Sequence, residues 1–348
     1  MRASKSELNN SPAPTGDSGN KIPQSDIAND ISSHSLTGKW TEDDKASLSD
    51  VHPIVKRNYI IPTPMLKKAY DVVRDRIFSR RTGVVFYGET RAGKTTCALR
   101  IREFLGQEFA HAYISMATCR RTSRVKDGHM SRLILEGVNH ACAARTQPDL
   151  LLQNVITDIE LYTKQKHGDQ YVLLLDEINL LNEADLTSLL ELHNILQLRG
   201  IRMTTISFGQ PEILDLISAL KAQNKMQIVA RFFRSPQPFL CCDCEETLKD
   251  LLIYFDDHTD WPEGSGWSYT RFFFPRAFSA GFRLATYSSQ IWAALCAAGG
   301  EHRTHFTMEM IALTIEWLIL ASRSSDGASF SFRKEDFFEA VESADVVW

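Results

Sequence analysis

The sequence has no apolar run near the roughly 18 consecutive residues that a membrane-spanning helix needs, so no bilayer span is expected. Its first 20 residues are polar and rich in Ser, Asn and Pro, without the apolar stretch of a secretory signal. Cysteine is sparse. The seven thiols (Cys97, Cys119, Cys142, Cys241, Cys242, Cys244 and Cys296) are odd in number and mostly isolated. That argues against a disulfide framework and for a reducing compartment, so a cytoplasmic protein is expected. Cys241, Cys242 and Cys244 crowd together, but no second ligand pair lies at zinc-finger spacing, so buried thiols are expected there rather than a metal. An excess of positive charge is also missing. The net charge of -4 gives no nucleic-acid signature for the whole chain, which leaves a local basic patch as the only electrostatic route to DNA. No internal repeat is visible.

What is present is an ordinary globular composition, 43% hydrophobic and 24% charged over 348 residues. That is enough for one large core and a smaller module. Residues 1–50 are polar, net acidic and poor in large apolar side chains, so a disordered leader is expected. From Ile54 to Arg81 the pattern turns helical, with Met65, Ala69, Val72, Val73, Ile77 and Phe78 on one face after Pro62 and Pro64. Short apolar strands are expected at Gly83–Tyr87, Ala112–Met116, Tyr171–Leu175 and Arg202–Phe208. Helices are expected at Thr95–Phe104, Leu133–Ala144, Leu150–Lys164 and Glu183–Leu198. Such alternation predicts an α/β domain with a mainly parallel sheet over residues 51–238. Beyond Pro238 the pattern is helical (Glu245–Phe255, Phe282–Ala298 and Thr307–Ser322), with an exposed connection expected from Asp257 to Tyr269. Residues 239–348 therefore read as a helical lid and C-terminal helices.

The strongest chemical signal is Gly88-Glu89-Thr90-Arg91-Ala92-Gly93-Lys94-Thr95, followed by Thr96, between an apolar strand and a helix. Glycines let backbone N–H groups close around phosphate oxygens, and the following helix N-terminus favours negative charge. Lys94 then reaches the β- and γ-phosphates, and Thr95 offers its hydroxyl to Mg²⁺. Asp176-Glu177 ends a later apolar strand, where a carboxylate lies beside such a loop. Asp176 is the expected metal-side carboxylate of an ATP site and Glu177 the base that polarises an attacking water, which makes the chain an ATP hydrolase.

Other polar groups are weaker candidates. Ser207 or Gln210, in Ser207-Phe208-Gly209-Gln210-Pro211-Glu212, ends the next strand and either senses the γ-phosphate or merely closes the strand. Arg231 and Arg234 are candidates for an arginine that completes a neighbouring subunit's site, or are surface residues. Arg283 is a candidate lid contact to the γ-phosphate. Arg120, Arg121, Arg124 and Lys126, with Arg132 beyond, suit DNA phosphate contacts or form a solvated basic loop.

In this order the features resemble the AAA+ ATPases, and within them the TnsC/TniB transposon target-selection regulators. ExeA-type relatives carry a similar Gly-Gln-Pro-Glu stretch. The resemblance spans about Ile54 to Ser322. It implies an AAA+ P-loop domain with a mainly parallel five-stranded sheet and a small α-helical lid, using ATP and Mg²⁺. It implies Gln210 as the strand-end sensor, Arg231 as the finger presented to a neighbour with Arg234 as alternative, and Arg283 as the lid sensor. It further implies a bacterial, cytoplasmic protein that assembles head to tail, as a ring or helical filament, on double-stranded DNA. Contact would run through Arg120, Arg121 and Arg124, bridging a target-selection protein to a transposase. The acidic leader and the Trp- and Phe-rich stretch from Trp261 to Phe278 depart from the simplest members. A protein-binding signalling or secretion switch is the first alternative. A replication initiator or helicase loader is the second, although Glu301 to Trp348 shows no winged-helix pattern.

Overall fold

A computed structural model of the chain describes residue 45 and residues 48–122, 127–145, 147–299 and 305–344. Most of the leader, and Arg124 and Lys126, lie outside the described residues. A one-turn helix α1 (Pro53–Lys56) leads through an extended strap to α2 (Pro64–Phe78). The strands are β1 (Gly83–Tyr87), β2 (Ala112–Thr118), β3 (Gln170–Asp176), β4 (Arg202–Gly209) and β5 (Gln237–Pro238). They form one sheet in the order β2-β3-β4-β1-β5, and every pairing is parallel. Helix α3 (Lys94–Glu108) joins β1 to β2. Helices α4 (His129–Gly137) and α5 (Pro148–Gln165) precede β3, and α6 (Glu183–Leu198) precedes β4. Helices α7 (Ile213–Ala222) and α8 (Met226–Phe232) lead to β5.

Parallel strands covered by helices on both faces bury most of their side chains, which is why β3 reads as an unbroken apolar run. Its residues from Tyr171 to Leu175 are no more than 1% exposed. One face packs Val84, Phe86, Val172, Leu174, Ile206 and Phe208 against α2 and α3. The other packs Val85, Leu173 and Leu175 against α4 to α8. Helix α2 starts where Thr63 Oγ1 accepts the Leu66 N–H at 3.0 Å with Pro64 in the first turn. Its core stripe is Met65, Ala69, Val73 and Ile77, at four-residue spacing. Phe78, expected on that stripe, is 82% exposed because it lies about 100° further round the helix.

The helix expected from Leu133 to Ala144 stops at Gly137, and only a short 3₁₀ turn follows at Ala141–Ala144. Gly137 lies so close to β2 that a Cβ there would stand 2.1 Å from the Met116 carbonyl oxygen.

The helices after β5 make a second core. They are α9 (Glu245–Asp257), α10 (Tyr269–Phe273), α11 (Pro275–Ser279), α12 (Ser288–Gly299), α13 (Met308–Ser322) and α14 (Lys334–Ser343). The segment from Asp257 to Tyr269 is largely exposed, as its glycines suggested, but its tryptophans turn inward. Asp260 gathers the Gly264 and Gly266 N–H groups, each at 2.7 Å, and so folds the loop back. Trp267 is then buried, and Trp261 packs on the same core. Their large apolar area outweighs the local turn composition. The helix expected from Phe282 begins only at Ser288, because the buried Asp256 carboxylate accepts the Leu284 and Ala285 N–H groups at 3.0 and 2.9 Å and fixes a 3₁₀ turn there.

His52 locks the pre-sheet segment onto this core. Its ring lies 4.5–4.9 Å from those of Trp261, Tyr269, Phe272 and Phe273. Burial holds its pKa down to about 3. Burial likewise holds buried His193 down to about 4, with the Arg231 and Arg202 charges adding to the effect. The unfolded chain therefore takes up these protons first. The stability they contribute is complete above about pH 6.5 and is lost as pH falls toward the depressed values, at about 1.4 kcal/mol per pH unit for each group. Thermal melts between pH 6.5 and 5 should show this slope, and His52→Leu should remove about half of it; an unchanged slope would show that His52 does not contribute.

Candidate active site

β1, β3 and β4 all end at one edge of the sheet, and their register aligns those ends. The loop from Gly88 leaves β1 there, and α3 begins within it at Lys94. Two backbone features shape the loop. Gly93 has φ of 91°, which suits glycine, and a Cβ on Gly88 would stand 2.4 Å from the Phe239 carbonyl oxygen. Lys94 is buried and donates from Nζ to the carbonyl oxygens of Gly88 (2.8 Å) and Glu89 (2.6 Å), with desolvation lowering its pKa. The ammonium is thus held within the loop.

Thr95 Oγ1 donates to Asp176 Oδ2 at 2.8 Å. Asp176 is 2% exposed, and desolvation raises its pKa while the Thr95 bond opposes the shift. Next to it, Glu177 has φ of 55°, an uncommon left-handed conformation that turns its side chain out of the strand direction. Glu177 Oε2 accepts from Gln210 Nε2 at 3.1 Å, and the Gln210 N–H donates to Asn179 Oδ1 at 3.0 Å. The structure therefore brings Lys94, Thr95, Asp176, Glu177 and Gln210 together. Ser207, the other strand-end candidate, is fully buried, with a hydroxyl that has no partner among the described residues.

A cavity of about 510 Å³ opens beside this group. Gly93, Lys94, Thr95, Thr96 and Glu177 line one part. Tyr59, Ile60 and Ile61 from the strap, Leu66 from α2, and Met308, Glu309, Ala312 and Glu316 from α13 line the rest. Glu316 accepts from Tyr59 Oη at 2.9 Å and pairs with Arg57 Nε at 3.0 Å, so strap and lid close on each other. Arg91, in the phosphate loop with φ of 62°, lies 3.1 Å from Glu309 Oε2. The sequence reading did not single out Asn179, Arg57, Tyr59, Glu309 or Glu316. Nothing local marks them, since the Tyr59–Glu316 bond joins residues 257 positions apart.

The remaining candidates fall elsewhere. Arg283 does not reach the cavity: its guanidinium donates to the Phe278 and Phe282 carbonyls at 3.0 and 2.7 Å and stacks 3.6 Å from the Phe278 ring centre. Arg283 directly precedes the 3₁₀ turn fixed by Asp256. Arg231 Nη1 is held by His193 Nδ1 (2.9 Å) and Asn194 Oδ1 (2.6 Å), and Arg234 is exposed beyond it. Both belong to the amino edge of the sheet, where a Cβ on Gly83 would meet the Arg231 carbonyl at 2.8 Å. Of the basic loop, Arg120 forms a two-bond pair with Glu136 (2.8 and 2.6 Å), Arg121 is exposed, and Arg132 is spent on the carbonyls of Ala143 and Arg145. Among the described residues no cluster of three or more His, Cys, Asp or Glu side chains is arranged to hold a metal, the three close cysteines included.

Residues 76–217 match the family model described as AAA domain. The fold is an AAA+ domain. Against solved structures, the chain is similar to the Aeropyrum pernix ORC2 protein in its ADPNP-ADP complexes, with 12% identity and a TM-score of 0.56, over 84% of this chain and 72% of that one. It is also similar to domain III of the Thermotoga maritima replication initiation protein DnaA, with 13% identity and a TM-score of 0.41, over 81% and 93% of the two chains. Drosophila ORC bound to poly(dA/dT) DNA and Cdc6 gives 10% identity and a TM-score of 0.45, over 90% of this chain and 45% of that one. No curated protein matches.

An AAA+ site takes a nucleoside triphosphate and Mg²⁺, and the residues present fit both. The cradle has a lysine, a glycine-shaped loop and a helix start. Thr95 and Asp176 offer hard oxygen donors, and Mg²⁺ is usually bound by one or two protein oxygens together with substrate phosphates. Because the loop leaves no room for a Cβ at residue 88, Gly88→Ala should destabilise the fold by about 1–3 kcal/mol. Thermal unfolding of the variant would check this, and an unchanged melting temperature would count against so tight a loop.

Proposed function

We propose that this protein is an AAA+ ATPase that assembles head to tail on duplex DNA and regulates DNA transposition, as the resemblance to the TnsC/TniB regulators implies. The observation that carries the ATPase reading is the Thr95–Asp176–Glu177–Gln210 group at the carboxyl edge of the sheet, beside the Lys94 loop. In this reading Lys94 binds the β- and γ-phosphates. Thr95 and Asp176 hold Mg²⁺, whose role is to offset phosphate charge. Glu177 accepts a proton from the attacking water, and Gln210 positions Glu177 or that water.

Two observations support assembly. Within the chain, both arginines near the cavity are engaged with lid carboxylates, and Arg283 is turned away. Meanwhile Arg76, Arg81 and Arg234 gather at the opposite edge, where burial, and after it the charges of Arg81 and Arg234, lower the pKa of Arg76. A second copy stacked head to tail sets this face against the first copy's cavity, with Arg231 or Arg234 as the finger. Arg231 is already bonded within its own chain, which favours Arg234.

DNA contact through Arg120, Arg121, Arg124 and Lys126 belongs to the same proposal, as do a transposase and a target-selection protein as partners and a cytoplasmic, bacterial location. No described helix is long and apolar enough to cross a membrane. Replication initiation is the second reading. It is favoured by the fold likeness to the Aeropyrum pernix ORC2 protein. Among the described residues, α13 and α14 pack into the lid core.

Glu177→Gln should keep ATP binding, lower hydrolysis at least about a hundredfold and accumulate assemblies on duplex DNA, as seen by electron microscopy. Monomers alone, with ATP and DNA present, would contradict the assembly reading. Replacing Arg120, Arg121 and Arg124 with Ala should abolish any stimulation of the ATPase by DNA; retained stimulation would move the DNA contact elsewhere.

A further inference from the structure

Glu309 sits in the first turn of α13, on the wall of the cavity next to the phosphate loop. Met308, one residue earlier, lies against Gly93 of the loop, since a Cβ built on Gly93 would stand 3.8 Å from Met308 Cβ. A carboxylate facing a polyanion site is unexpected on charge alone. A negative group near a helix start is favourable in itself, but that does not require one of its oxygens to be shut away from water. Although the Glu309 side chain is 42% exposed overall, Oε2 is buried and has no hydrogen-bond partner. Arg91 Nε lies 3.1 Å from Oε2 but off the N–H direction, so it supplies charge and no directed bond. A buried acceptor without a donor costs about 1–3 kcal/mol, more when charged.

The chemistry of the ligand narrows what meets this oxygen. In an adenine nucleotide the phosphates, the ring oxygen and the ring nitrogens are all acceptors. The only donors are the two ribose hydroxyls and the exocyclic amine of the base. Ala312 and Glu316 continue the same wall of α13 toward the strap, and Glu316 lies roughly 10 Å along the helix from Glu309, already engaged with Tyr59 and Arg57. The carboxylate nearer the phosphates is therefore the one within reach of the sugar. Arg91 keeps that carboxylate neutralised beside the triphosphate.

We infer that Glu309 accepts a hydrogen bond from a ribose hydroxyl of the bound nucleotide and makes the site selective for ribonucleotides over deoxyribonucleotides. This rests on the reading of the cavity as a nucleotide site. The test is calorimetric binding of ATP, 2′-deoxy-ATP and 3′-deoxy-ATP, with Mg²⁺, to the full chain and to Glu309→Ala, which alters a half-exposed side chain and should leave the melting temperature close to that of the parent. The parent should bind ATP about tenfold more tightly than at least one deoxy form, the size of one hydrogen bond to a charged group. In Glu309→Ala that ratio should fall to within about twofold. Equal affinities in the parent, with ATP still bound, would overturn this inference and leave the nucleotide reading intact. A ratio that persists in Glu309→Ala would take the role from Glu309. Failure of the parent to bind any of the three would remove the nucleotide reading and this inference with it.

Discussion

The bond from the Thr95 hydroxyl to the Asp176 carboxylate joins the first turn of α3 to the end of β3, and most of the site's geometry hangs from it. Asp176 is almost fully buried, so a carboxylate is held where water hardly reaches, and desolvation raises its pKa. The Thr95 hydroxyl partly offsets that cost. The parallel register supplies the rest. β3 pairs with β2 up to Thr118, and the Cys119 N–H extends the ladder onto the Asp176 carbonyl at 2.8 Å. Asp176 is thereby pinned through main chain and side chain at once. Glu177, one residue on, gains freedom by leaving the ladder through a left-handed turn.

What could be read from the sequence was whatever is written locally. The phosphate loop, the strands around it and the bounds of α6 follow from short-range rules of periodicity and glycine. Fold class was legible for the same reason, since strands alternating with helices leave few arrangements other than a parallel sheet. Asn182 and Asp185 cap α6 reciprocally, and the predicted bounds of that helix match the structure at both ends.

The rest depended on contacts between distant parts of the chain. Arg283 was placed by analogy with a lid motif. It directly precedes a turn whose backbone is fixed by Asp256, a buried carboxylate 28 residues before Leu284. The exposure of the glycine- and tryptophan-bearing loop near residue 260 was legible because turn composition is read locally, whereas the burial of Trp267 is settled by α10 and by His52. Lid residues Glu309 and Glu316 carry no periodic or motif signal, because α13 is apolar on nearly every side and its two carboxylates gain meaning only once the strap is laid across them.

A sheet whose strands all run the same way gives the molecule a direction. One edge carries the phosphate cradle and a carboxylate pair, and the other carries arginines. In the proposed head-to-tail arrangement, an open stack of such molecules has two unlike ends. At one terminus of a stack a cradle faces solvent with no arginine across from it, and at the other an arginine face has nothing to oppose. Growth, capping and loss of units at the two termini are then different chemical events, set by the orientation of a few short strands.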